Sequence, residues 1–320
     1  MLLQRLMSQA SPAGPEARLS TLIFHRVLPQ PDPLFPDEVD AARFDAICGW
    51  LKDWFNVMPL DTAVAALRNG SLPARAMAIT FDDGYADNRG QAAPILQRHG
   101  LSATFFIATG FLDGGRMWND TLIEAVRHCM LPTLNLTGLL DGNDRLPLDT
   151  LAARRAAIGT LISHAKYLPA EQRQRFVDGV AARAEVLPPA DLMLTSTQVR
   201  ELRAMGMQIG AHTVSHPILC KLPRAQARAE IETSRRVLEG VLDEPVSLFA
   251  YPNGKPGEDY SAESVALARD VGFDAAVSTA WGVSTRQTDP FELRRFTPWD
   301  RERWRFGLRL WRNLRHGDSH

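Results

Sequence analysis

Two neighbouring carboxylates, Asp82 and Asp83, end the apolar, β-prone run Met77–Phe81 and are followed by Gly84. Side by side they repel, so the pair asks for a compensating positive charge, and a bound cation would supply it. Far along the chain, His212 and His216 stand four apart in His-Thr-Val-Ser-His. On a helical turn that spacing places both imidazoles on one face, as a divalent transition metal wants. Two histidines and one carboxylate from elsewhere make a facial site with open positions for water and substrate. One aspartate would then ligate, and its neighbour would be free to act as a base. Each half also has a plainer reading: Asp-Asp-Gly is a common turn, and scattered histidines are more often surface or cap neighbours. The two halves together favour the metal.

These residues need elements to hold them. Strand, acidic turn and helix follow one another from Met77 to Gly100, which puts both carboxylates at the carboxyl end of a strand, where α/β folds build their sites. Further strands are expected at Thr21–Val27, Ala103–Ala108, Met207–Ala211, Val246–Tyr251 and Phe273–Ser278. Helices are expected at Asp40–Phe55, Asp61–Asn69, Thr197–Met205, Pro223–Val241 and Ser261–Val271. This alternation predicts an α/β fold of the (β/α)-barrel kind. Residues 117–195 break the rhythm with helical spacing at Thr121–Cys129, Leu148–Ala165 and Ala170–Leu187, and read as a mainly helical insertion. At its start Trp118 could offer a sugar a stacking ring, or could simply anchor the insert.

The residues carry a resemblance. Thr80-Phe81-Asp82-Asp83-Gly84 and His212-Thr213-Val214-Ser215-His216 resemble the first two motifs of the polysaccharide deacetylases, the NodB-homology carbohydrate esterases (family 4). Phe249-Ala250-Tyr251-Pro252-Asn253-Gly254 is similar to the third, in its Tyr-Pro-x-Gly form, and Leu22–Val27 resembles the opening of the branch acting on poly-N-acetylglucosamine exopolysaccharides. The resemblance spans residues 20–116 and 195–298. It implies a distorted barrel of about seven strands and a metal-dependent deacetylase with a carbohydrate substrate. It also implies roles: Asp83, His212 and His216 as ligands of one divalent ion, with Zn foremost and Co, Ni or Fe compatible. Asp82 would be the general base and His25 the general acid. The backbone N–H of Asn253 would serve the oxyanion, Tyr251 would contact substrate, and Arg295 would orient Asp82. The chain departs from the common pattern at Ala250, where the family carries Arg, and lacks the late Asp-x-x-Asp-Trp and Leu-His motifs; both departures suit the exopolysaccharide branch. Two alternatives remain at this stage: a deacetylase of small or lipid-linked amino sugars, and a non-catalytic glycan-binding barrel.

The remaining features bound the answer. With 45% hydrophobic and 23% charged residues, the 320-residue chain has the make-up of a globular protein with an ample core. A net charge of −1 gives no reason to expect nucleic acid as a partner. Cys48, Cys129 and Cys220 are scattered and odd in number, so a reducing compartment is expected rather than a disulfide framework. No stretch reaches the roughly 20 apolar residues of a membrane span, and no signal-peptide core is seen, so the expected location is the cytoplasm. A misassigned start would shift that to the periplasm or envelope. The expected organisation is a flexible segment at 1–19, in which Leu2, Leu3, Leu6 and Met7 around Arg5 allow a weak amphipathic helix, then the barrel at 20–298 interrupted by the insertion, and a basic, aromatic C-terminal helix at 299–320. The last holds Trp299, Trp304 and Trp311 among many arginines, and could dock on the barrel or meet an anionic membrane or a glycan-assembly partner.

Overall fold

A computed structural model of the chain describes residues 2–140, 142, 144–296 and 299–315. The end of the expected barrel, at 297–298, and the expected tail, at 316–320, lie outside the described residues. The chain divides into two compact units, one of residues 1–30, 37–113 and 194–320, the other of 31–36 and 114–193.

In chain order the strands are β1 (Ser20–Phe24), β2 (Asn56–Val57), β3 (Ala76–Phe81), β4 (Thr104–Ile107), β5 (Thr133–Asn135), β6 (Arg145–Pro147), β7 (Gln208–Ala211), β8 (Leu248–Ala250) and β9 (Ala275–Val277). The helices are α1 (Leu2–Ala10), α2 (Ala41–Trp54), α3 (Leu60–Asn69), α4 (Ala93–His99), α5 (Trp118–His128), α6 (Leu151–Ala165), α7 (Ala170–Arg183), α8 (Ser196–Ala204), α9 (Arg224–Leu242), α10 (Ala262–Val271) and α11 (Arg303–Arg315).

The first unit is built on a parallel sheet in the order β1-β3-β4-β7-β8-β9, with β2 added to β3. The segment after β9 joins the two ends: Leu293 bridges Val277 and Phe296 bridges Leu22, both in parallel. The Ser278 N–H donates to Leu293 O at 2.8 Å, and the Phe296 N–H to Thr21 O at 2.9 Å. This short stretch completes a distorted barrel.

Alternation along the strands separates its inside from its outside. Met77, Ile79 and Phe81 of β3, Phe105 and Ile107 of β4, and Phe249 of β8 belong to the large core shared with the surrounding helices. Ala76, Ala78, Phe106, Leu248, Ala250, Ala275 and Val277 make a second cluster, which fills the interior. The interior is narrow, hence its many alanines and the glycine of β7. A Cβ on Gly210 would lie 2.4 Å from the buried Phe106 ring and 3.1 Å from Leu248 O, and neither has room to retreat. Gly210→Ala is therefore expected to lose about 1–3 kcal/mol of stability by overpacking. Urea denaturation would show this as a lower midpoint at unchanged m-value.

Residues 1–19, expected to be flexible, instead contribute α1, whose Met7 is fully buried in the main core. Leu3 and Trp54 close on Gly307 of α11, where a Cβ would come within 3 Å of both. An isolated nine-residue helix is marginal in water, so it is this packing that holds α1. Phe306, Leu310 and Leu314 turn the apolar side of α11 inward. No helix among the described residues is long and apolar enough to cross a membrane.

The second unit has its own core, in which Leu122, Leu161, Val177 and Val180 from α5, α6 and α7 meet the hairpin residues Leu134 and Leu146. The loop 31–36 belongs to it. Arg127 donates to both carboxylate oxygens of Asp32, at 3.0 and 2.8 Å, and Arg155 to Leu34 O at 2.8 Å. Trp118 packs against this same core, with the Arg173 guanidinium 5.2 Å over its ring. The ring thus does anchor the insert, while its side chain stays half-buried.

Candidate active site

The strand ends gather the expected residues at one mouth of the barrel. On β3, Ala76, Ala78 and Thr80 face inward, and Asp82 keeps that parity because its N–H continues the ladder, donating to Phe24 O at 2.9 Å. Its carboxylate meets Arg295, which lies on the closing segment. Arg295 Nη1 and Nη2 donate to Asp82 Oδ1 and Oδ2, each at 2.7 Å, in the paired geometry only a guanidinium offers. Arg295 is 1% exposed, and it also donates to Ser278 O at 2.8 Å and to Thr80 Oγ1 at 3.2 Å. Burial raises the Asp82 carboxyl, but the Arg295 guanidinium and then the His212 imidazole outweigh it and hold it below the usual carboxylate range.

Asp83 leaves the strand with φ +74°, a conformation unusual for a residue with a side chain, and this swings its carboxylate away from Arg295. Its Oδ1 lies 3.5 Å from Nε2 of both His212 and His216. Asp83 Oδ1 is buried and has no hydrogen-bond partner among the described residues. Burial raises this carboxyl too, yet the surrounding imidazoles hold it well below its ordinary value.

His212 follows β7 on its inward parity and is 1% exposed. Its Nδ1 donates to Ala250 O at 2.8 Å, which orients the ring and commits Nε2 to the space shared with Asp83. Burial lowers the His212 imidazole, but Asp82 and Asp83 raise it by more; burial pushes His216 down to about 4.

The helical turn expected for the two histidines is not formed. Residues 212–216 are a loop in which Thr213 (φ +64°) and His216 (φ +53°) are both left-handed. Two reversals of the chain, rather than helical periodicity, bring the ring centroids to 4.8 Å. The His216 N–H donates to Thr213 Oγ1 at 3.2 Å, closing the loop on itself.

His25 follows β1 directly, the Phe24–Phe81 register sets it beside the start of the acidic turn, and it is exposed at the same mouth. Two residues unnoticed in the sequence hold its segment. Asn88 Nδ2 donates to His25 O at 2.9 Å, and Asp87 accepts from Arg26 Nε at 2.8 Å and from the Val27 N–H at 3.1 Å. Their one sequence signal is that they follow the acidic turn immediately. Asn253 is left-handed (φ +58°) in the turn after β8, and its N–H meets no acceptor among the described residues. Tyr251, expected to contact substrate, is instead fully buried. Its ring stacks on Tyr260 with centroids 4.0 Å apart, because it leaves β8 on the outward parity of Phe249 and so enters the core.

The ligand atoms of Asp83, His212 and His216 all lie within 4.8 Å of one another. An orphaned buried carboxylate oxygen facing two imidazole nitrogens is a donor set that fits a divalent transition cation. Beside it stands a second carboxylate, Asp82, bound to a different partner and left outside that set.

Comparison with known proteins agrees. The family model described as polysaccharide deacetylase matches residues 69–129 and 169–276, more than half of the chain. Bacillus subtilis YxkH, which carries a polysaccharide deacetylase name, is 21% identical over 281 residues, covering 87% of this chain and 71% of its own length. The Streptococcus pyogenes deacetylase PplD, solved in complex with acetate, superposes with a TM-score of 0.58 at 20% identity, covering 88% of this chain and 92% of its own. A de-N-acetylase from Aggregatibacter actinomycetemcomitans superposes with a TM-score of 0.56 at 17% identity, covering 87% and 94%. These structural likenesses establish the fold. The matched segments include both the acidic strand end and the histidine loop, and the chain belongs to the polysaccharide deacetylase family, the NodB-homology carbohydrate esterases.

Proposed function

We propose that this protein is a metal-dependent deacetylase that removes N-acetyl groups from an N-acetylglucosamine-containing glycan, an exopolysaccharide or cell-envelope polymer. The observation that carries the reading is the division of labour between adjacent aspartates: Asp83 faces two imidazoles, while Asp82 is gripped by Arg295. A binding module needs no such second carboxylate. The N-acetyl specificity is drawn from the motifs and from the relative described as a de-N-acetylase.

Asp83, His212 and His216 would hold the cation, with zinc foremost. Bound there, it supplies Lewis acidity to the amide carbonyl and to the attacking water. The chain's own residues do the rest. Asp82, kept as a carboxylate by Arg295, accepts the proton of the water that attacks the acetyl carbon. The Asn253 N–H donates to the oxygen on which negative charge develops. As the carbon–nitrogen bond breaks, His25 gives a proton to the departing amine. Acetate and a glucosamine residue result, and the free amine turns a neutral polymer cationic.

The test is acetate release from β-1,6- and β-1,4-linked N-acetylglucosamine oligomers, using metal-free protein reconstituted with Zn²⁺, Co²⁺ or Ni²⁺. Metal-dependent release that increases with oligomer length is expected. Protein that binds the metal yet frees no acetate from any oligomer would overturn the polymer assignment.

A further inference from the structure

We propose that Glu230 of α9 is a positioning residue for the metal site, its carboxylate fixing the loop that presents His216. The proposal rests on Asp83, His212 and His216 being the metal's ligands.

The two histidines are held in different ways. His212 is anchored twice: its N–H donates to Ile107 O at 3.0 Å and its ring to Ala250 O at 2.8 Å. Among the described residues the His216 ring has no comparable hydrogen-bonded anchor, and its side chain is 16% exposed. Its place is set by the path of residues 213–215, and that path is costly, since a β-branched residue such as Thr213 rarely accepts φ +64°. Something outside the loop must enforce it.

The carbonyls of the loop are held from one side. Thr109 N–H donates to Thr213 O at 3.1 Å and Gly110 N–H to Val214 O at 2.8 Å. Gly110 is required for this approach, because a Cβ there would lie 2.7 Å from Val214 O. The N–H groups point the other way, and Glu230 takes them. Its Oε2 accepts from the N–H groups of Val214 and Ser215, both at 2.8 Å, and its Oε1 accepts from Ser215 Oγ at 2.6 Å. Successive N–H groups beside a left-handed residue form a concave anion receptor, and here a side chain of the protein itself fills it. Charge-assisted bonds to both amides make this the strongest restraint on the loop. Without it, residues 213–216 lose the reason for their conformation and the His216 ring leaves Asp83.

Partners that orient metal ligands typically change metal affinity by about 10–100-fold when removed. Zn²⁺ affinity, measured by competition with a chromophoric chelator, is therefore expected to fall by about that factor in Glu230→Gln and further in Glu230→Ala. The visible spectrum of the Co²⁺-loaded protein is expected to shift, while far-ultraviolet circular dichroism stays that of the wild type. Ser215→Ala, which removes one of the three bonds, gives a milder variant, with a loss on the order of fivefold. In a His216→Ala background Glu230→Gln should change affinity no further, the non-additivity expected of two residues acting through one ligand. Wild-type affinity and spectrum in both Glu230 variants would overturn the proposal, as would additive losses in the double variant. A wild-type protein that binds neither metal would overturn the metal reading itself, and that failure is distinct because it needs no variant to appear.

Discussion

Asp82→Asn is expected to leave a folded protein that still binds its cation but releases acetate about 10²–10⁴-fold more slowly, the usual contribution of a positioned general base. The substitution leaves Asp83, His212 and His216 untouched, so the donor set whose atoms lie within 4.8 Å survives. What disappears is the group that accepts a proton. An amide keeps one oxygen for Arg295 but turns an N–H₂ toward the other guanidinium nitrogen, where Asp82 Oδ2 had accepted at 2.7 Å. Some stability is therefore lost as well, and rates should be compared at a temperature where both proteins are fully folded. The loss should fall on kcat rather than KM, since proton transfer belongs to the transition state. His216→Ala makes the contrast, because there the rate and the metal content fall together. An Asp82→Asn protein within about tenfold of wild-type kcat, at full metal occupancy, would show that the base lies elsewhere.

Much of this site was legible because strand parity and motif order are local properties. Ala76 to Asp82 alternate inward and outward as their residue types suggest, so a strand ending in two aspartates sends one into the barrel. What escaped reading was set by contacts distant in sequence. Nothing in Thr213 or His216 announces positive φ, since neither is a glycine, and the conformation is imposed by Thr109, Gly110 and Glu230. Tyr251 has the residue type of a sugar contact, and only the parity of β8 sends it into the core beside Tyr260. The closure of the barrel rests on single bridges at Leu293 and Phe296, too short to leave a strand pattern. The same holds for residues 31–36, which fall within the range expected for the barrel: their membership of the inserted unit depends on Arg127 and Asp32, 95 positions apart.

Arg295→Met should be the most destabilising single change in the site, at about 3–5 kcal/mol, because it leaves the Asp82 carboxylate buried without its partner. Both side chains are nearly inaccessible, Arg295 at 1% and Asp82 at 3%. Water cannot replace the two bonds at 2.7 Å. The bonds to Ser278 O and Thr80 Oγ1 go too, although methionine can keep the contact with the Phe106 ring, which the guanidinium now overlies at 5.9 Å. Adding Asp82→Asn to Arg295→Met removes the stranded charge. The double variant should therefore be more stable than Arg295→Met alone, while remaining as inactive as Asp82→Asn. Urea denaturation of the wild type, the two single variants and the double closes the cycle and isolates the coupling. A single Arg295→Met variant within about 1 kcal/mol of wild type would show that the pair is not what holds Asp82 ionised in the interior. A buried ion pair is a poor way to gain stability, since well-packed apolar residues often serve as well or better. Its value here lies in the constraint. Gripped through both oxygens, Asp82 has one orientation, stays a carboxylate, and keeps Oδ2 3.9 Å from His212 Nε2, beside the ligand set but outside it.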